Sequence, residues 1–167
     1  MINKALHRFD SIWRLWGKGL GLAALTLTAM VCACNKIETF KDSFVAFDTA
    51  KSSVVSINAE GEFTGSYTVH YTGPKPTEPI VVSFEVTCGG GLAEGTDYKV
   101  ATAGGKITFL PGVYDHVIKI DWLPHDIDAS KDNTVTISLV SAEGVTLGYP
   151  GPDKLMKDLV LRKYSVR

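Results

Sequence analysis

The chain has 167 residues, with 17 Lys and Arg against 18 Asp and Glu, and a formal net charge of −1. It is 45% hydrophobic and contains no low-complexity tract, so its length and composition suit one globular domain with an ordinary apolar core. A near-neutral chain without a basic patch is not expected to bind nucleic acid.

Residues 1–33 have the layout of a bacterial export signal. A basic beginning precedes residues 19–35, which carry no charge. The apolar core at 19–31 has the length of a secretory signal and is shorter than the roughly 20 residues of a spanning helix. We therefore predict a helical signal peptide over residues 1–33, with a retained membrane anchor as the disfavoured alternative.

The end of the apolar core carries the most informative residue of the sequence. The stretch Val31-Cys-Ala-Cys34 resembles the lipobox of bacterial lipoproteins, in which the cysteine after the cut is diacylglycerated on sulfur and acylated on its amino group. A cut before Cys32 would follow the bulky Val31, which fits a cleavage site poorly. The resemblance implies lipidation of Cys34 and a polar tether at 34–42. An ordinary secretory cut with free cysteines is the alternative.

Cys88 is the third cysteine of the chain. Cleavage before Cys34 would leave it as a lone thiol, so we expect no intrachain disulfide. No His or basic residue stands near it in the sequence to lower its pKa. We interpret Cys88 as a buried or loop thiol rather than a reactive one.

The remaining chain, residues 43–167, alternates apolar and polar side chains, which is typical of half-buried strands. Gly- and Pro-rich turns separate the alternating segments. We predict an all-β, antiparallel, immunoglobulin-like sandwich of about 7–9 strands. The clearest strands are 67–71, 80–86, 106–109, 116–122, 134–139 and 158–164.

Three short motifs give this region a family resemblance. They are Gly95-Thr-Asp-Tyr98, then Lys106-Ile-Thr-Phe-Leu-Pro-Gly112, then the strand that begins at Asp132 and is followed by Gly144-Val-Thr-Leu-Gly148. Their order and spacing resemble those of a Calx-beta domain, which is an immunoglobulin-like sandwich. The resemblance covers roughly residues 44–165.

Calx-beta domains of sodium–calcium exchangers bind Ca²⁺ through clustered carboxylates, so the resemblance implies a weak Ca²⁺ candidate at Asp126, Asp128 and Asp132. Ser130 and Asn133 stand where the family carries glutamates, and a Ca²⁺ ion needs six to eight oxygen ligands. We therefore favour a solvated acidic loop and expect no cofactor.

A lipobox, a tether and one sandwich also resemble surface lipoproteins of Bacteroidota, which often accompany nutrient-uptake systems. No zinc pair or nucleophile elbow is present in the sequence, so we expect no enzyme. We predict an outer-membrane lipid-anchored protein, on the periplasmic or the cell-surface face, which binds or scaffolds a protein or glycan. Tyr149 is the weak ligand-binding candidate, since exposed aromatic side chains anchor partners. A Ca²⁺-stabilised adhesion module is the alternative.

Overall fold

A computed structural model describes residues 42–48 and 54–165, with only the backbone described at 54 and 55. The predicted signal peptide, Cys34 and most of the tether lie outside these residues. The described chain forms ten strands and one turn of 3-10 helix at Ala103–Gly105. The strands are β1 Phe44–Phe47, β2 Val54–Asn58, β3 Phe63–Thr72, β4 Ile80–Cys88, β5 Tyr98–Val100, β6 Lys106–Phe109, β7 Asp115–Trp122, β8 Thr134–Ala142, β9 Thr146–Leu147 and β10 Asp158–Tyr164.

The strands form two five-stranded sheets with the orders β5-β7-β3-β1-β9 and β2-β10-β8-β4-β6. The longest pairing joins β3 to β7, from Phe63 opposite Trp122 to His70 opposite Asp115. This confirms the all-β prediction, and the two sheets fit a β-sandwich.

Two strand pairs differ from the wholly antiparallel arrangement that we predicted. β1 pairs with β9 in parallel, and β2 pairs with β10 in parallel. A tight hairpin forces antiparallel pairing, but strands that are far apart in the chain have no such constraint. Both sheets are therefore mixed.

The core lies between the inner faces of the two sheets. Alternate positions of β7, β8 and β10 point inward, so that Ile118, Ile137 and Leu161 are all fully buried. Because period-two alternation assigns every second side chain to one face, the apolar positions of these strands form the core.

Trp122 is buried in this core and is held by a hydrogen bond. Its Nε1–H donates to the Tyr67 hydroxyl at 2.9 Å. The Tyr67 side chain lies over Gly65, where a Cβ would overlap the phenol. Glycine inside a strand often marks such a close approach. Trp122 is therefore a core residue.

The sandwich has two ends, which are named here for what they carry. At the tether end, β1 begins and the loops 73–79, 110–114 and 143–145 lie. At the opposite end, called the polar end, lie the loops 89–97 and 123–133 and the last residues of β10.

Candidate functional site

The polar end contains a cleft of about 830 Å³. Its walls are the loop 126–133 and the end of β10 at 162–165. Three acidic and three basic residues line these walls: Asp126, Asp128, Asp132, Lys131, Arg162 and Lys163. The mixed charge suits a polar ligand better than an apolar one.

A buried ion pair lies beneath this end of the sandwich. The Lys163 ammonium is 3.1 Å from Asp97 Oδ1, and the two residues are 1% and 2% exposed. Lys163 Nζ also donates to the Leu123 carbonyl at 2.7 Å and to the Asp97 carbonyl at 3.4 Å. The three protons of the ammonium therefore have three acceptors, which a buried charge requires.

Local sequence explains how each partner reaches this position. Lys163 follows Leu159 and Leu161 on the inward-facing positions of β10. Asp97 ends a tight turn in which its Oδ2 accepts the Ala93 amide at 2.9 Å. Gly95 has a φ of 85° in this turn, which favours glycine. The GTDY turn thus holds the carboxylate in place.

His125 completes the cluster from the β7–β8 loop. Its Nδ1 is 3.0 Å from Asp97 Oδ1, and its side chain is half exposed. Within the described residues, the ring bonds to Asp97 and to no hydroxyl or thiol. The three groups therefore form a hydrogen-bonded network around the ion pair and do not form a nucleophile–His–Asp arrangement.

The pKa of the Asp97 carboxyl is set by opposing effects. Burial by itself raises this pKa. Hydrogen bonds from the Ala93 amide and from Lys163, together with the Lys163 charge, outweigh burial and lower the pKa below its ordinary value. Asp97 is therefore ionised at neutral pH.

The acidic loop is held largely by its own hydrogen bonds. Asp128 Oδ1 accepts the Ser130 hydroxyl at 2.6 Å and the Ser130 amide at 3.0 Å. These hydrogen bonds lower the pKa of the exposed Asp128 carboxyl. Asp132 Oδ1 accepts the Thr134 hydroxyl at 2.8 Å.

Asn133 fixes the base of the same loop. Its Nδ2 donates to the Asp128 carbonyl at 2.8 Å, while its buried Oδ1 has no hydrogen-bond partner. This oxygen lies against Gly91, where a Cβ would overlap it. Gly91 thus permits the two loops of the polar end to pack together.

The three Ca²⁺ candidates share this loop but do not converge. Within residues 42–48 and 54–165, no group of three His, Cys, Asp or Glu side chains is placed to hold a metal ion. One oxygen of Asp128 and one of Asp132 already accept hydroxyl protons. Ca²⁺ binding by Asp126, Asp128 and Asp132 stays a prediction that this geometry does not favour.

Tyr149 lies away from the polar end, in the β9–β10 loop. Its ring is 49% exposed, and its centroid is 5.1 Å from that of Phe44. Its amide donates to the Leu155 carbonyl at 2.8 Å, which closes the loop. Tyr149 is a supported, half-exposed aromatic side chain, although no described cleft surrounds it.

Cys88 is exposed, and it forms no disulfide within the part of the chain that the structure describes. Its thiol donates to the Leu92 carbonyl at 3.3 Å. It also lies close to the Tyr98 hydroxyl, whose pKa is raised chiefly by burial. Cys88 is thus an exposed thiol on the last residue of β4, whereas we expected a buried or loop thiol.

Neither a protein-family model nor a curated protein matches the chain significantly. The described part of the chain contains no helix with the length and apolar character needed to cross a bilayer.

The buried ion pair is the feature that sequence reasoning missed. Alternation in Asp158-Leu-Val-Leu-Arg-Lys-Tyr164 places position 163 on the inner face, beside Leu159 and Leu161. A lysine at an inward position needs a buried counter-charge. The inward position of Lys163 could therefore be predicted from the sequence, but its partner Asp97 could not.

Proposed function

We propose that the chain is a membrane-anchored lipoprotein whose sandwich is a non-catalytic binding or scaffolding module. The observation that carries the proposal is the run from the basic leader to Val31-Cys-Ala-Cys34. Two or three acyl chains on Cys34 would make release from the membrane negligible, whereas one chain binds only marginally. We place the lipid anchor in the outer membrane, on its periplasmic or cell-surface face. The sandwich has no catalytic role in this proposal.

The sandwich, in this proposal, is immunoglobulin-like and of the Calx-beta-like kind. Its support is the order and spacing of the three motifs in the sequence, each of which lies at a turn or a strand of the fold. Asp97 of the GTDY turn is an internal anchor, β6 runs directly into the Pro111-Gly112 turn, and β8 follows Asp132. In this proposal the module is an accessory to nutrient uptake and binds a protein or glycan partner. The polar cleft at one end and the aromatic side chain of Tyr149 elsewhere are its candidate contact surfaces.

The anchor is tested by substitution at the two leader cysteines. We expect Cys34→Ala to release the protein from the membrane fraction, because the acylated thiol is lost. Cys32→Ala is the matched control and should stay bound. If both variants stay bound, the apolar segment is a retained anchor and the lipid proposal is wrong.

Ligand binding is tested with the whole protein on a glycan array. A glycan signal that Tyr149→Ala removes would support the binding role of this side chain. Tyr114→Ala is the control, since Tyr114 is also exposed but lies in the loop 110–114 and not in the β9–β10 loop. A silent array would contradict the glycan proposal and favour a protein partner.

A Ca²⁺-stabilised adhesion module is the second candidate, because three aspartates stand within the loop 126–132 beside the cleft. A ligand that binds only the folded state raises the melting temperature. Thermal melts with Ca²⁺ and with chelator measure this directly. Equal melting temperatures with Ca²⁺ and with chelator would contradict Ca²⁺ binding.

A further inference from the structure

The tether end exposes an unusual share of apolar side chains. Of the nine large hydrophobic side chains exposed among the described residues, four lie here. They form what we name the tether-end patch: Val81, Leu110, Val113 and Tyr114. Leu110 is 55% exposed. Clustered exposed apolar groups mark interaction surfaces more often than scattered ones do.

The patch stands on a rigid turn. The Val113 amide donates to the Leu110 carbonyl at 2.9 Å, and Gly112 has a φ of 88°. With Pro111 before that glycine, residues 110–113 match a type II turn, which needs a positive φ at its third position. The apolar side chains are therefore presented in a fixed arrangement, without the entropy cost of ordering a loose loop.

The patch is also joined to the point where the chain enters the sandwich. The Tyr114 ring stacks on Tyr71 at 5.9 Å, and the Tyr114 carbonyl accepts the Tyr71 amide at 2.7 Å. The Tyr71 hydroxyl donates to the Pro74 carbonyl at 2.8 Å and lies 3.2 Å from Ser43 Oγ. Ser43, directly before β1, and the patch thus belong to one packed unit.

Charge does not explain what the patch contacts. Lys75 is exposed near it, but four carboxylates are exposed at the same end: Asp42, Glu78, Asp115 and Glu143. Such mixed charge offers no net attraction to an anionic surface. The patch therefore suits an apolar occupant with a polar border, and tyrosine is enriched where proteins meet the border of a bilayer.

The position of the anchor argues for one occupant. Cys34 stands nine residues before Ser43, so an extended tether reaches roughly 30 Å. A lipid on Cys34 would hold the sandwich beside the bilayer at high effective concentration, where even weak insertion is realised. The end that carries the exposed patch is the end at which this tether arrives.

We propose that the tether-end patch docks onto the lipid bilayer, with Leu110 and Val113 inserted and the polar end turned away. This inference rests on the lipid anchor at Cys34. The lipid would fix the protein to the membrane, and the patch would set its orientation. The cleft and the acidic loop would then face the aqueous side, where a polar partner can reach them.

Depth-dependent fluorescence quenching tests the orientation. Lipidated full-length protein carrying Leu110→Trp is reconstituted into phosphatidylcholine vesicles with and without brominated acyl chains. We expect at least a twofold loss of the added emission in brominated vesicles. Ala129→Trp, in the acidic loop of the polar end, is the matched control and should be unaffected. The wild-type protein supplies the background from buried Trp122.

The outcomes separate the patch from the anchor. Vesicle flotation without quenching of Leu110→Trp would overturn the docking, while the anchor would stand. Loss of flotation would overturn the anchor itself. A blue-shifted but unquenched emission would show a second copy or another protein on the patch, and would also overturn the proposal. Adding Val113→Asp to the Leu110→Trp variant should abolish the quenching without changing the melting temperature.

Discussion

The two ends of the sandwich differ in where they keep their charges and their apolar groups. The polar end encloses an ammonium and a carboxylate and satisfies both with hydrogen bonds. The tether end places four large apolar side chains in solvent. Buried charges at one end are therefore part of the fold, whereas the exposed apolar groups at the other add little to it. The ion pair is thus built into the polar end, while contact of the tether end with a membrane stays our proposal.

The largest expected effect comes from removing one member of the ion pair. Lys163→Met would leave Asp97 as a buried charge without its main partner, and we expect a loss of about 3–5 kcal/mol in the free energy of unfolding. Urea unfolding of the whole protein measures it. Arg162→Met, at the exposed neighbouring position, is the control, and equal effects of the two changes would contradict the structural role of the pair.

The pH dependence of the free energy of unfolding of Asp97→Asn tests the same ion pair. Because the folded-state pKa of Asp97 is lowered, its ionised form stabilises the protein above the unfolded-state pKa of about 3.9, and this contribution is lost as pH falls through the folded value. The wild type should exceed Asp97→Asn by about 3 kcal/mol at neutral pH. Unfolding curves should show this gap closing at acidic pH.

A control and a contrary result define that experiment. Asp158→Asn changes an exposed carboxyl on β10, so its gap to the wild type should be small at every pH. A gap for Asp97→Asn that is independent of pH would mean that the stabilisation comes from shape and not from charge.

The hydrogen bond inside the core should have an intermediate effect. Tyr67→Phe removes the acceptor of the buried Trp122 N–H, and an unsatisfied buried donor costs about 1–3 kcal/mol. Denaturant unfolding measures the loss. Tyr149→Phe is the control, because the Tyr149 side chain is half exposed. No difference between the two variants would show that the Trp122 N–H finds another acceptor.

The smallest expected effect is at the tether-end patch. Leu110→Ser should change the free energy of unfolding by no more than about 0.5 kcal/mol, since the side chain is mostly exposed. The same unfolding assay measures it. A loss of unfolding free energy as large as that of Tyr67→Phe would contradict the difference between the two ends, because the patch would then belong to the core.

Much of the strand pattern could be predicted from alternation. The predicted segments 106–109 and 158–164 coincide with β6 and β10, and the others lie within β3, β4, β7 and β8. β1 was not located, because all four of its residues are buried and so do not alternate. β5 and β9 have three and two residues, which is too short for a period to show.

The candidate sites, like the strands, could be predicted only in part from the sequence. Sequence placed Asp126, Asp128 and Asp132 in one loop, but loop hydrogen bonds decide where each carboxylate points, and those form only in the folded chain. Tyr149 was expected to be exposed, and it is half exposed. The lipidation of Cys34 stays a prediction from the sequence alone.

The sequence by itself determined the class of fold and the inner face of each alternating strand, because both depend on a local period of two. Only the tertiary structure decided which strands pair in parallel and which groups meet across the core. Lys163 and Asp97 are 66 residues apart, and no local pattern links them. A buried cation required an anion, and the fold determined which one.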